Sequence, residues 1–116
     1  MRRAERLRER RDFAAVYRHG RPYGSNLLIL RALRTGQEQS RFGFTASKAL
    51  GGAVVRNRLK RRLRESARSF RVAPGWDLVV NCRRGAGQAG YHDLREQMSE
   101  LLVRAGVLEE SGEASI

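Results

Sequence analysis

Seven basic side chains crowd the stretch from Arg56 to Arg68: Arg56, Arg58, Lys60, Arg61, Arg62, Arg64 and Arg68, with Glu65 the one acid among them. Like charges packed this densely repel one another, and an ordinary solvated helix face intersperses acids to relieve that repulsion. A polyanion relieves it as well. Guanidinium forks bind phosphate through two N–H groups at once and stack on bases, so the chemistry on offer is phosphate binding. If roughly six to eight phosphates are neutralised, log K falls with log salt at a slope of about −4 to −7. Gly51-Gly52 precedes this stretch, and a helix N-terminus there adds N–H groups and a positive dipole end suited to an anion.

Phe13 and Tyr17 form a second candidate pair. One reading puts both in the core. The other makes them a stacking platform, because exposed aromatics beside basic groups bind single-stranded RNA. Burial separates the two. No Ser/His/Asp set, paired carboxylates or phosphate-binding P-loop is visible, so the chain offers no catalytic residues of its own. His19 reads as a helix-end residue near carbonyls. His92 reads as a surface residue, and with Asp93 it supplies only two ligands to a metal. The single cysteine, Cys82, excludes an intramolecular disulfide framework and a cysteine-based zinc site. It reads as a small apolar residue at a strand end, and a reducing cytoplasm is the compartment that fits.

The elements that must position these residues belong to one small domain of 116 residues with a net charge of +12. Residues 1–71 carry net +15, whereas residues 93–116 carry net −4. Such a field attracts polyanions, nucleic acid first among them. Arginine outnumbers lysine 22 to two, which fits both genomic base composition and a use of guanidinium chemistry. A hydrophobic share of 41% supports a core and argues against wholesale disorder. No apolar run approaches the ~18 residues of a membrane span, so no membrane partner is expected. The N-terminus has no secretory signal pattern.

Residues 1–11 read as a basic flexible arm, 12–106 as the RNA-binding domain, and 107–116 as an acidic, disordered tail. Asp12 is the expected N-cap of a helix from Phe13 to His19, closed by Gly20, with Phe13, Val16 and Tyr17 on one face. A very short strand is possible beside Arg21–Gly24. Asn26–Arg34 is expected as a buried strand, Thr35–Gln39 as a hairpin loop, and Arg41–Ser47 as an alternating strand with Phe42, Phe44 and Ala46 on one face. Ala53–Arg71 has helical spacing, with Val55, Leu59, Leu63, Ala67 and Phe70 in one apolar stripe. Trp76–Cys82 is a strand, Arg83–Gly90 a Gly-rich loop, and Tyr91–Ala105 a helix ended by Gly106. The order gives an α/β sandwich on one small sheet: an antiparallel hairpin, then a β-α-β crossover through the arginine helix. A DNA-binding helix-turn-helix is disfavoured, because that motif joins its helices by a short turn, and DNA is not an expected partner.

The run GFTASKALGGAVVRNRLKRRLRE at Gly43–Glu65 resembles the signature of the bacterial ribonuclease P protein subunit. The matching residues are Ser47, Lys48, Gly51, Ala53, Val54, Arg56, Asn57, Arg58, Lys60, Arg61, Arg64 and Glu65. DFAAVYRHG is similar to that family's first helix, and WDLVVNCRR to its strand end with Asp77 and Arg83 or Arg84. The resemblance implies an αβββαβα fold with a small, mostly antiparallel sheet, similar to a ribosomal-protein domain. It also implies a left-handed crossover, where general chain handedness favours a right-handed one. It implies a ribonucleoprotein that removes the 5′ leader of precursor tRNA, with Mg²⁺-dependent hydrolysis performed by a catalytic RNA subunit. Arg56, Asn57, Arg58, Lys60, Arg61, Arg62, Arg64 and Arg68 are then expected to contact ribonuclease P RNA, with Asn57 serving either RNA or a helix cap. Phe13, Tyr17, Arg31, Phe44 and Lys48 are expected in the cleft that receives the leader. Ala49 replaces a lysine of the family block, and Arg31 lies where an aromatic is often found. The alternative is a structural RNA-binding protein of ribosomal or assembly type.

Overall fold

A computed structural model describes residues 5–109. Helix α1 (Arg10–His19) leads into strands β1 (Arg21–Gly24), β2 (Leu28–Arg34) and β3 (Arg41–Thr45). A 3-10 turn at Lys48–Leu50 precedes α2 (Ala53–Ala67). Then come β4 (Trp76–Cys82), a second 3-10 turn at Arg84–Gln88 within the Gly-rich segment, and α3 (Tyr91–Ala105). Gly106 ends α3 in the left-handed region at φ 70°, which glycine adopts without a Cβ penalty.

The sheet order is β1-β2-β4-β3. β1 pairs with β2 and β2 with β4 antiparallel, whereas β3 and β4 run parallel and are joined through α2. The short β1 is therefore real, and it makes the hairpin with β2. Thr35–Gln39 does not make one, because β4 lies between β2 and β3. Instead Thr35 N–H donates to the Gly75 carbonyl at 2.7 Å, tying the loop to the turn before β4. The reason is burial. Leu78, Val79 and Val80 are all buried, so β4 is apolar on both faces and takes the centre.

Residues from alternate strand positions line opposite faces. One face carries Leu28, Leu30, Ala32, Phe42, Leu78 and Val80, and α2 and α3 cover it with Leu59, Leu63, Ala67, Leu94, Met98, Leu101 and Leu102. Each fully buried leucine contributes about 1.5–3 kcal/mol. Val55 and Phe70 pack at the margins of this core. Among the described residues the other face is covered by α1 and the segment before it, where Leu7 and Val16 pack on Val79 of β4, with Phe13 and Leu33 half-buried against them.

The ends of the domain differ from the sequence-based boundaries. Over residues 6–11 the supposed arm is built into the fold. Leu7 is 6% exposed; its N–H donates to the Phe42 carbonyl at 2.8 Å, and Arg6 forms a parallel bridge with Phe42. One buried leucine suffices to anchor the segment along the edge of β3. Helix α1 starts at Arg10 with Glu9 as its N-cap, which leaves Asp12 in the first turn. Beyond α3, Val107 is buried, and Ala73 and Glu109 N–H groups donate to the Val107 and Arg71 carbonyls. The packed chain thus runs past Gly106 to Glu109. The rest of the expected acidic tail, 110–116, lies outside the described residues. No helix among the described residues is long and apolar enough to cross a membrane.

Candidate nucleic-acid interface

The face beneath α1 is only partly filled, and its polar residues meet there. In the register, Arg31, Val79 and Gly43 form one cross-strand row and Ile29, Asn81 and Thr45 the next. Helix α1 lies over the first row. Phe13 sits against Gly43, where a Cβ would come within 2.5 Å of the Phe13 ring; only glycine leaves room for the ring. One turn on, Tyr17 is 44% exposed, with the Arg31 guanidinium 5.1 Å from its ring centroid. Asn81 links the group. Its amide donates to the Tyr17 and Thr45 hydroxyls, and its Oδ1 accepts from Arg31 Nε at 3.3 Å. Four elements therefore present an aromatic face, a guanidinium and amide and hydroxyl groups side by side. The two readings of the aromatic pair divide: Phe13 is half core, and Tyr17 is open.

One other expected cleft residue is placed differently. Phe44 is on the opposite face, packed against the main core and stacked on Phe42 with centroids 5.6 Å apart. Strand alternation dictates this, since Phe42 and Phe44 share a face and Gly43 and Thr45 take the other. Lys48 is exposed on the 3-10 turn that follows β3. Asn81 and Thr45 were not singled out from sequence. The available signal was an asparagine interrupting the apolar run WDLVVNC.

An ionic clamp holds α1 in place. Arg41 on β3 donates to both carboxylate oxygens of Asp77, at 3.0 and 2.8 Å, and to Asp12 of α1 at 3.4 Å. Asp77 is 4% exposed. Its hydrogen bonding holds the Arg41 guanidinium above its ordinary pKa.

On α2, Asn57, Arg58 and Arg61 are exposed, as is Arg68 at its C-cap, while Arg56, Lys60, Arg62 and Arg64 are half-buried. Gly52 is the N-cap, so Asn57 lies inside the helix and does not cap it. Arg62 turns inward and donates to the Ala89 carbonyl at 3.1 Å. Arg68 lines a cleft of about 600 Å³ with Glu5, Glu38 and Glu109. Burial, and then the charges of Arg6 and Arg61, push the Arg64 pKa down. The ion pairs among the described residues are Arg11–Glu9, Arg41–Asp12 and Arg41–Asp77, none of which involves α2. Also among the described residues, no three His, Cys, Asp or Glu side chains group so as to hold a metal ion.

Residues 1–106 match the family model for ribonuclease P. The chain belongs to the ribonuclease P protein family. It is 42% identical over 112 residues to the ribonuclease P protein component of Roseiflexus castenholzii, covering 94% of this chain and 92% of the relative. It is 40% identical to that of Symbiobacterium thermophilum, covering 97% of this chain and all of the relative. Among solved structures, the ribonuclease P protein from Thermotoga maritima superposes with a TM-score of 0.78 at 31% identity, over 86% of this chain and 96% of that one. The Staphylococcus aureus ribonuclease P protein gives 0.83 at 24% identity, over 92% and 100%, a likeness of fold. As a ribonuclease P protein component, the chain is part of a ribonucleoprotein endoribonuclease of tRNA processing.

Proposed function

We propose that the chain grips ribonuclease P RNA through the exposed side of α2 and receives the single-stranded 5′ leader of precursor tRNA in the groove beneath α1. The observation that carries this reading is the convergence of Tyr17, Arg31, Asn81 and Thr45 in one half-open groove, on the face of the sheet opposite α2. A single strand offers splayed bases that stack on an aromatic or a guanidinium plane and whose edges accept hydrogen bonds. Duplex RNA offers mainly backbone and shape. The α2 arginines suit that backbone. Asn57, Arg58 and Arg61 lie on the open side, with Arg56, Lys60 and Arg64 flanking them. Arg62 and Arg68 contribute less, since one serves the fold and the other faces acids.

Hydrolysis in this reading belongs to the RNA subunit, in the cytoplasm, with Mg²⁺ held by RNA. The chain's own residues orient the leader and neutralise phosphate. The test is precursor-tRNA cleavage with the matching RNA subunit at low Mg²⁺, run with leaders of increasing length. The protein should stimulate cleavage and tighten substrate binding as the leader grows into the groove. Tightening that ignores leader length would instead mark a purely structural RNA binder.

A further inference from the structure

The segment before α1 points to a site that the α2 motif alone does not contain. Arg6 is held along the edge of β3 by its bridge to Phe42, with the next residue buried and hydrogen-bonded to the same strand. Helix α2 packs against β3 from the core side. Backbone pairing and helix packing thus bring Arg6 to the arginines of α2, and the charge of Arg6 is felt at Arg64 alongside that of Arg61. Arg64 Nε is buried with no hydrogen-bond acceptor. A buried donor left unpaired costs about 1–3 kcal/mol, and like charges held together cost more. The repulsion is relieved by one anion that accepts from the outer N–H groups of these guanidinium forks.

We propose that Arg6, Arg61 and Arg64 form a composite site for a single RNA backbone phosphate, with the segment before α1 supplying one guanidinium and α2 the others. This rests on α2 being the face that binds ribonuclease P RNA. The site makes the segment before α1 part of the RNA grip, at a fixed place and not as a loose basic arm. Arg6 can be changed without touching the anchor, because Leu7 and the backbone hold the segment.

The experiment measures the affinity of the full chain for its matching ribonuclease P RNA across a salt series. Arg6→Ala, Arg64→Ala and the double variant are compared, with melting temperatures confirming that each folds. Arg6→Ala should weaken binding about tenfold and reduce the salt slope by about one. The double variant should lose clearly less than the product of the two single losses, because both groups hold one phosphate. Arg6→Lys keeps the charge but not the fork, so it should restore the slope and only part of the affinity. If Arg64→Ala weakens binding while Arg6→Ala leaves affinity and slope unchanged, or if the two losses multiply in full, the composite site is wrong and the α2 reading survives. If Arg64→Ala and Arg61→Ala also leave binding unchanged, the α2 reading fails with it.

Discussion

The two faces of the sheet are held by different forces. The α2/α3 face is an apolar interface in which Leu30, Leu59, Leu63, Leu78 and Leu101 exclude water. Among the described residues the α1 face has three buried hydrophobic side chains, Leu7, Val16 and Val79, and an ionic clamp at one end. Its other end is an open polar row. A short helix on one side of a sheet cannot bury the whole of it. What is left uncovered here carries the Arg31 guanidinium, the Asn81 amide and the Tyr17 and Thr45 hydroxyls beside the half-buried Ile29. Stability is concentrated on one face so that the other can stay half open.

The largest test of this contrast is Arg41→Ala. It strands the Asp77 carboxylate in a buried position, and breaking one partner of such a pair costs about 3–5 kcal/mol. Urea unfolding should show a loss of this size, a large part of a small domain's total of about 5–15 kcal/mol. A loss below about 1 kcal/mol would mean that α1 is held by Leu7 and Val16 alone and that the clamp is ornamental. Asp12→Asn touches only the arm of the clamp that reaches α1, so it should cost much less.

How far the chain could be read in advance follows the same division. The bounds of β4 and α3, and the apolar stripe of α2 from Val55 to Ala67, were legible because one residue type repeats at a fixed local period, although the helix ends at Ala67 and not at the expected Arg71. The central place of β4 was not, since strand order is decided by which strands are apolar on both faces, and Thr35–Gln39 looks like a hairpin loop from its own residues. The candidate groove was half legible. Phe13, Tyr17 and Arg31 could be named, but Asn81 and Thr45 join them only through register across three strands. Phe44 was misplaced because an apolar aromatic beside a basic motif suits either face, and only the parity set by Gly43 decides. The anchoring of Arg6 depends on one leucine among charges, too weak a pattern to read locally.

Gly43→Ala is next in expected size. The new methyl would press on Phe13 at 2.5 Å, and overpacking of this kind costs about 1–3 kcal/mol. Because α1 would have to lift or tilt, leader affinity should fall with stability, whereas binding of ribonuclease P RNA to α2 should hold. A variant as stable as the parent would show that the ring is not seated on the glycine.

Tyr17→Ala separates recognition from folding more cleanly. The ring is exposed, so unfolding free energy should change by less than about 1 kcal/mol. Loss of one base stack should weaken leader-dependent binding by about 1–3 kcal/mol. The readout is the affinity ratio of precursor tRNA with and without its leader. Equal affinities for parent and variant would remove Tyr17 from the groove's function.

The smallest effect concerns neighbours on β4 that point to opposite faces. Asn81 belongs to the open row, whereas Cys82 packs at the edge of the main core. Burial pushes the Cys82 thiol from 9.0 up to about 11, against a smaller opposing effect of Lys60. The fold therefore favours the neutral thiol. The stability this contributes is fully present below the unfolded value of 9.0 and is lost as pH rises towards about 11. Melting of the free protein should drop slightly more steeply across that window than melting of Cys82→Ala. At pH 8 the thiolate is about one part in a thousand, so alkylation should be far slower than for an unfolded control. Labelling at the control rate would show that the packed face opens at this end of β4, and the contrast between the two faces would then stop one residue short of the strand's end.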